Sequence, residues 1–192
     1  MTKLILSSCD FRNPISANCI YDNLPQPVEH CRVLYFPNEK ATAEMISGDK
    51  FYHRLAAFGF KHENINVFNY FSPSDFHFPP IDVIYISGGN TFGTLKRLRE
   101  SGADKIIVDY VNQGVTYIGG SAGAHIASAN IAHVKKYDGE TFGLNDFTGL
   151  KLFDGILICH YSDERYDDYI YLREQSEFPV SILTDQEAIV IK

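Results

Sequence analysis

The segment "TYIGGSAGAHIA", residues 116–127, joins an apolar run to a stretch of small residues through a glycine-rich turn. Gly119, Ser121 and Gly123 give this turn the pattern G-x-S-x-G. Between a strand and a helix, this pattern predicts a nucleophile elbow, in which a tight turn forces the serine into a strained backbone conformation and requires small flanking residues. The segment therefore predicts a strand, a turn that exposes the Ser121 hydroxyl, and a closely packed helix.

A second glycine turn, "GGNT" at residues 88–91, follows the apolar run 81–86. Gly89 allows close backbone approach, while Asn90 and Thr91 are suited to cap the next helix or to contact a substrate. Open α/β sheets bind ligands at the carboxyl ends of their strands, where both turns are expected. We therefore expect the Gly89 and Ala122 amides to form an oxyanion hole beside Ser121.

Strand-like and helix-like segments alternate along the chain. Apolar runs rich in β-branched and aromatic residues occupy 3–8, 31–36, 64–71, 81–86, 115–120, 155–161, 180–184 and 188–192. Helix-period segments occupy 42–60, which Gly48 interrupts, and 91–102, 103–114 and 122–132. This alternation predicts an α/β fold with a doubly wound, mostly parallel sheet flanked by helices, and a single domain over residues 1–192.

The composition excludes several classes of protein. The 192 residues carry a net charge of −7 and 45% hydrophobic residues, which disfavours both an extended nucleic-acid surface and disorder. No run approaches the roughly 20 apolar residues of a membrane helix. The four cysteines lack metal-type spacing, so we expect free thiols, no metal and a cytoplasmic protein.

A serine nucleophile needs a base, and His160 is the best candidate because it ends the apolar strand "GILIC". His133 is a possible alternative, whereas His125 lies inside the helix after Ser121 and is expected to pack or to support the site. For the acid that orients the imidazole, Asp138 is the first choice.

Three further acidic residues compete for the role of the triad acid. They are Asp146, Asp154 and Glu187. Asp154 is expected to end a turn before a strand. Glu187 lies in "TDQEA", which is interpreted as a hairpin turn between the last two strands.

At these motifs the chain resembles the serine peptidases of family S51, the peptidase E group. The resemblance covers "GGNTFGTL", "GGSAGAHIA", a strand that ends in histidine and a terminal pair of strands. It implies that Ser121 is the nucleophile and His160 the base. It implies an acid about twenty residues before that histidine, which fits Asp138; the competing position is a glutamate near the carboxyl end, whose nearest counterpart is Glu187.

The resemblance also implies a fold and an activity. The fold is the three-layer sandwich of class I glutamine amidotransferases, but Ser121 replaces their elbow cysteine and disfavours glutaminase chemistry. The implied activity is the hydrolysis of small peptides without a cofactor, with a preference for an acidic first residue. Arg165, or else Arg173, would bind that side chain, although both also suit helix ion pairs. Independently of the resemblance, an apolar edge leaves both a monomer and a homodimer open.

Two other functions remain open at this stage. The same machinery serves an esterase or amidase that acts on a non-peptide substrate. A binding protein that has kept the fold and lost the activity is the other alternative.

Overall fold

The structure is a computed structural model that describes residues 3–192, so the first two positions of the predicted domain lie outside it. Its strands are β1 (Leu4–Ser7), β2 (Val33–Phe36), β3 (Ile65–Val67), β4 (Val83–Ile86), β5 (Thr116–Gly120), β6 (Ile156–Ile158), β7 (Val180–Ile182) and β8 (Ala188–Ile191). Its helices are α1 (Pro14–Asn23), α2 (Ala43–Ser47), α3 (Lys50–Ala57), α4 (Thr91–Ser101), α5 (Ala103–Asn112), α6 (Ala122–Ala127), α7 (Lys135–Asp138) and α8 (Tyr166–Gln175).

The main sheet has the strand order β3-β2-β4-β5-β1-β8. All its neighbouring strands pair in parallel except β8, which runs antiparallel to β1 at the edge. Strands β6 and β7 form a separate parallel pair. This arrangement confirms the predicted α/β fold with a mostly parallel sheet flanked by helices.

Side chains of the central strands alternate between two buried faces. On one face Leu34, Ile84 and Ile86 pack in a cluster that also contains residues of α4, α5, α6 and the β6–β7 pair. On the other face Tyr35 and Tyr85 pack in a cluster that contains residues of α1 and α3. Because both faces are covered, the strands are apolar without alternation, as the sequence indicated.

The structure differs from the sequence predictions in several places. The strand expected over 64–71 is confined to β3, and the helix expected over 122–132 ends at Ala127. The expected helix over 42–60 is divided into α2 and α3, because the chain at Gly48 is extended and ends α2. The last two strands do not form the expected hairpin: β7 pairs with β6, and β8 crosses to β1 in the main sheet. The turn between them therefore joins two sheets.

Within residues 3–192, no helix has the length and hydropathy needed to span a membrane.

Gly123 holds α6 against the end of β4. A Cβ atom at this position would collide with the carbonyl oxygen of Ile86, which is backbone and cannot rotate away. We predict that Gly123→Ala lowers the free energy of unfolding by about 3 kcal/mol, measured by urea denaturation.

Gly143→Ala is the matched control for that substitution. Gly143 has φ +73°, but no atom lies within 4 Å of its Cβ position, so only backbone strain of about 1 kcal/mol is expected. Equal losses in the two variants would contradict the proposed contact.

Candidate active site

Ser121 lies at the turn between β5 and α6 with φ 50° and ψ −107°, a conformation that non-glycine residues rarely adopt. Its backbone N–H donates to the carbonyl oxygen of Ser7 at the end of β1 (2.8 Å). This geometry is the strained elbow that the sequence predicted, and it directs the hydroxyl away from the helix toward the carboxyl edge of the sheet.

His160 follows β6 and reaches Ser121 from outside the main sheet. Its Nε2 lies 2.9 Å from Ser121 Oγ. The backbone N–H of His160 donates to Ser8 Oγ (2.9 Å), and the same hydroxyl donates to the carbonyl oxygen of Leu183 (2.9 Å). The fully buried Ser8 thus connects β1 with the ends of both β6 and β7.

The carboxylate beside His160 belongs to Asp185. Its Oδ1 lies 2.5 Å from His160 Nδ1, and this hydrogen bond holds the pKa of Asp185 below its usual range. An ionised carboxylate only accepts hydrogen bonds, so Nδ1 is the donor. In a neutral imidazole, Nε2 is then unprotonated and accepts the hydroxyl hydrogen of Ser121. The geometry is that of a nucleophile, a base and an orienting acid.

The structure does not bring Asp138 to His160. Asp138 ends α7, and its Oδ2 accepts the backbone N–H of Thr91 at the first turn of α4 (2.6 Å). A carboxylate at a helix N-terminus satisfies a free amide and interacts favourably with the helix dipole. The prediction of Asp138 as the acid is therefore corrected: its carboxylate stabilises the start of α4.

Two of the three competing acids have other contacts, and the third, Asp154, is exposed. Glu187 lies in the same turn as Asp185, but its Oε2 accepts the backbone N–H of Thr184 (2.7 Å) and so shapes that turn. Asp146 pairs with Arg99 (3.2 Å). The sequence signal for Asp185 was its place directly after an apolar strand, which the hairpin interpretation concealed. Because β6 and β7 are parallel neighbours, the residues that follow them meet at one edge.

The two glycines before Asn90 face different neighbours. A Cβ on Gly88 would lie 3.3 Å from Ser121 Cβ and 3.8 Å from its Oγ, so Gly88 is in contact with the elbow. The Gly89 Cα faces Asn38 and Glu39 instead. Ala122 is the first residue of α6, so its N–H has no acceptor within the helix.

Asn90 and Thr91 have structural contacts. Asn90 Oδ1 accepts the backbone N–H of Gly93 (2.9 Å) and caps α4, while its side-chain amide donates to the carbonyl oxygen of Glu140 (3.0 Å). Thr91 is buried, and its Oγ1 lies 3.5 Å from His125 Nδ1. Their expected capping role is present, and these contacts give no support to the suggested contact with substrate.

Several polar groups support the strand that carries His160. Arg165 Nη1 donates to the carbonyl oxygen of Cys159 (2.5 Å), and its guanidinium lies 4.0 Å from the ring centroid of Tyr137. His125 Nε2 accepts the backbone N–H of Cys159 (3.3 Å), and burial holds the pKa of His125 well below its ordinary value. His133 Nε2 lies 2.6 Å from the Leu157 carbonyl oxygen. The Arg165 guanidinium is thus engaged in a hydrogen bond with the backbone next to His160.

Asp10 and Arg12 form the other side of the site. The Asp10 side chain is fully buried, packs on Gly120, and accepts hydrogen bonds from Tyr85 Oη (2.9 Å) and Arg12 Nε (2.9 Å). This ion pair holds the Arg12 guanidinium at Gly88, where Nη2 lies 3.2 Å from the Cβ position. The sequence predictions included neither residue, because no motif connects this loop with the elbow.

A cavity of about 270 Å³ opens beside Gly88. Arg12 and Arg54 both line it, together with Asn38, Tyr85 and Ser87. Asp10 balances Arg12, whereas Arg54 contacts only the Tyr35 hydroxyl (3.3 Å) among the side-chain hydrogen bonds and ion pairs of residues 3–192. The cavity therefore carries a net positive charge close to Ser121.

Comparisons with known proteins identify the family of the chain. A family model described as peptidase family S51 matches residues 4–192. An uncharacterized peptidase of Listeria monocytogenes is 35% identical over 119 residues, which is 58% of this chain and 57% of that protein. Peptidase E of Haemophilus influenzae is 52% identical over 50 residues, 26% of this chain and 23% of that protein. The aligned part thus spans about half or less of each of these relatives.

A solved structure has the same fold. It is described as a candidate peptidase E protein from Listeria monocytogenes and superposes with a TM-score of 0.71 at 24% identity. The match covers 100% of this chain and 94% of that one. At this identity the likeness bears on the fold alone.

Asp185 should determine the reactivity of Ser121. We predict that Asp185→Asn slows labelling of Ser121 by a fluorophosphonate by about 100-fold or more, because an amide does not hold the required tautomer or balance an imidazolium. Glu187→Gln is the matched control, since its amide oxygen can still accept the Thr184 N–H. Asp138→Asn should also label at close to the rate of the unchanged protein. A slow rate in Asp138→Asn and a normal rate in Asp185→Asn would restore Asp138 as the acid.

Proposed function

Because the chain belongs to peptidase family S51, we propose that it is a serine peptidase that hydrolyses short peptides through an acyl-enzyme at Ser121. The observation that carries this proposal is the continuous path of hydrogen bonds from Ser121 through His160 to Asp185. The S51 match over residues 4–192 and the shared core of the two sheets support one domain over residues 1–192.

The reaction begins when Ser121 Oγ attacks the scissile carbonyl carbon while its proton passes to His160 Nε2. Asp185 stabilises the resulting imidazolium and keeps the ring in orientation. The amides of Ala122 and Gly89 are the proposed donors to the oxyanion; each such donor typically contributes about 3 kcal/mol to stabilising the transition state. His160 then protonates the leaving amine, and water hydrolyses the acyl-enzyme in the reverse sequence.

The positive cavity beside Gly88 supports a preference for peptides with an acidic first residue. Arg165, the expected carboxylate ligand, is engaged by Cys159 and Tyr137, and Arg173 stacks near Tyr169 on α8. Arg12 and Arg54 instead provide guanidinium groups in the cavity beside Gly88, the glycine that contacts Ser121. A substrate carboxylate in this cavity would pair with Arg54, whose charge is not balanced by an ion pair within residues 3–192.

Removal of the nucleophile tests the proposed reaction. We predict that Ser121→Ala lowers the hydrolysis of a dipeptide panel at least about 1000-fold, measured by chromatography of the products, without loss of the folded state. Ser74→Ala, a change in an exposed loop, should retain the rate. Turnover of an aryl ester with no turnover of any peptide would favour the esterase instead. Absence of both turnover and fluorophosphonate labelling would indicate a silent binding protein.

Substitution of Arg54 tests the proposed substrate preference. In the unchanged protein we expect kcat/KM for a dipeptide with aspartate first to exceed that of the matched asparagine dipeptide by about tenfold or more. Arg54→Ala should reduce this ratio toward one by raising KM for the acidic peptide. Arg173→Ala on α8 is the control and should leave the ratio unchanged. A ratio that survives Arg54→Ala and falls in Arg173→Ala would assign the carboxylate to the other arginine.

A further inference from the structure

Cys9 lies beside the two residues that support Ser121. Its Sγ, one imidazole nitrogen of His160 and one carboxylate oxygen of Asp185 all lie within 4.8 Å of one another. The three residues come from the loops after β1, β6 and β7. We propose that they form a transition-metal site that takes Zn²⁺ and whose occupation inhibits the enzyme; this inference rests on the proposed function.

The three donor types determine the class of cation. A thiolate, an imidazole and a carboxylate are all ligands of Zn²⁺, whereas Mg²⁺ and Ca²⁺ prefer oxygen donors alone. Two anionic ligands balance the charge of a divalent ion. Zn²⁺ bonds of about 2.0–2.3 Å place tetrahedral ligands roughly 3.3–3.8 Å apart, so only small side-chain rotations are needed.

The site is open to solvent on one side. The side chains of His160 and Asp185 are 37% and 62% exposed, which gives an ion an entry path and leaves room for water as the fourth ligand. The nearest cation in the same loop is Arg12, whose Nε donates to the Cys9 carbonyl oxygen (3.3 Å). Its charge is paired with buried Asp10, which reduces its repulsion of a metal ion.

Occupation of this site would remove the base. The His160 nitrogen that faces Asp185 is Nδ1, and a neutral imidazole carries one proton. When Nδ1 coordinates a metal, that proton resides on Nε2, so the ring donates to Ser121 Oγ and can no longer accept its proton. Asp185 would simultaneously become a metal ligand and cease to balance an imidazolium. Inhibition should therefore be reversed by a chelator.

Metal binding can be measured independently of hydrolysis. We expect Co²⁺, as a spectroscopic probe, to give saturable one-to-one binding with a thiolate-to-metal charge-transfer band that Zn²⁺ abolishes by displacement. Ser121→Ala should bind Co²⁺ as the unchanged protein does, because the hydroxyl is not a ligand. Co²⁺ binding can be measured even if the protein has no peptidase activity, so the two proposals are tested separately. The absence of saturable binding below about 1 mM Co²⁺ would overturn the site.

Cysteine variants assign the ligand. Cys9→Ala should remove the charge-transfer band and weaken Zn²⁺ inhibition at least about tenfold, with each rate normalised to the metal-free rate of the same variant. Cys19→Ala, which removes another half-buried thiol from α1, is the control and should retain both. Cys9→Ser provides a second variant of similar size if Cys9→Ala does not fold. A band that persists without Cys9, or Co²⁺ binding without inhibition by Zn²⁺, would contradict the proposal.

Discussion

The close packing of α6 against the end of β4 is the constraint on which the candidate site depends. Gly123 contacts the Ile86 carbonyl, and Tyr117 Oη donates to the Gly123 carbonyl oxygen (2.7 Å) inside the core. These contacts, with the hydrogen bond from Ser121 N–H to Ser7, leave the elbow no room to relax. Strain of this kind costs about 1–3 kcal/mol and persists only where surrounding contacts determine it. The buried core supplies those contacts.

The parallel strands then assemble the chemistry at one edge. Strands β1, β4 and β5 bring Ser8, Gly88 and Ser121 to the same end of the main sheet, while β6 and β7 bring His160 and Asp185 from the smaller one. Ser8 bridges the two sheets, because its hydroxyl accepts from His160 and donates to Leu183. A buried hydroxyl that satisfies two backbone groups at once fixes their separation. The alignment of His160 and Asp185 with Ser121 thus depends on a residue that takes no part in the proposed proton transfer.

Local patterns were sufficient to predict the fold and the elbow, but long-range pairing was not visible in them. Ser121 is identified by neighbours within two residues, and His160 by its place after an apolar strand. Identifying Asp185 as the partner of His160 requires knowing which strand lies beside β6. The short "TDQEA" segment taken alone resembles a hairpin turn. Asp138 has the expected sequence distance from His160, but its carboxylate is bound by the first turn of α4. The position of Arg12 beside Gly88 depends on how the loop after β1 packs over Gly120, which no local pattern shows.

The charges around Ser121 are separated into two sides, and this separation connects the proposed activity with the proposed inhibition. On the side of the imidazole, Asp185 is ionised and Cys9 is adjacent, so positive charge is stabilised there, whether as an imidazolium or as a metal ion. On the side of Gly88, Arg12 and Arg54 favour negative charge. Asp10 is buried and paired with Arg12, so Arg54 is the arginine of this side whose charge no ion pair within residues 3–192 balances. A peptide with an acidic first residue and a leaving amine that takes up a proton matches this distribution of charge. The same negative charge beside His160 attracts a competing cation.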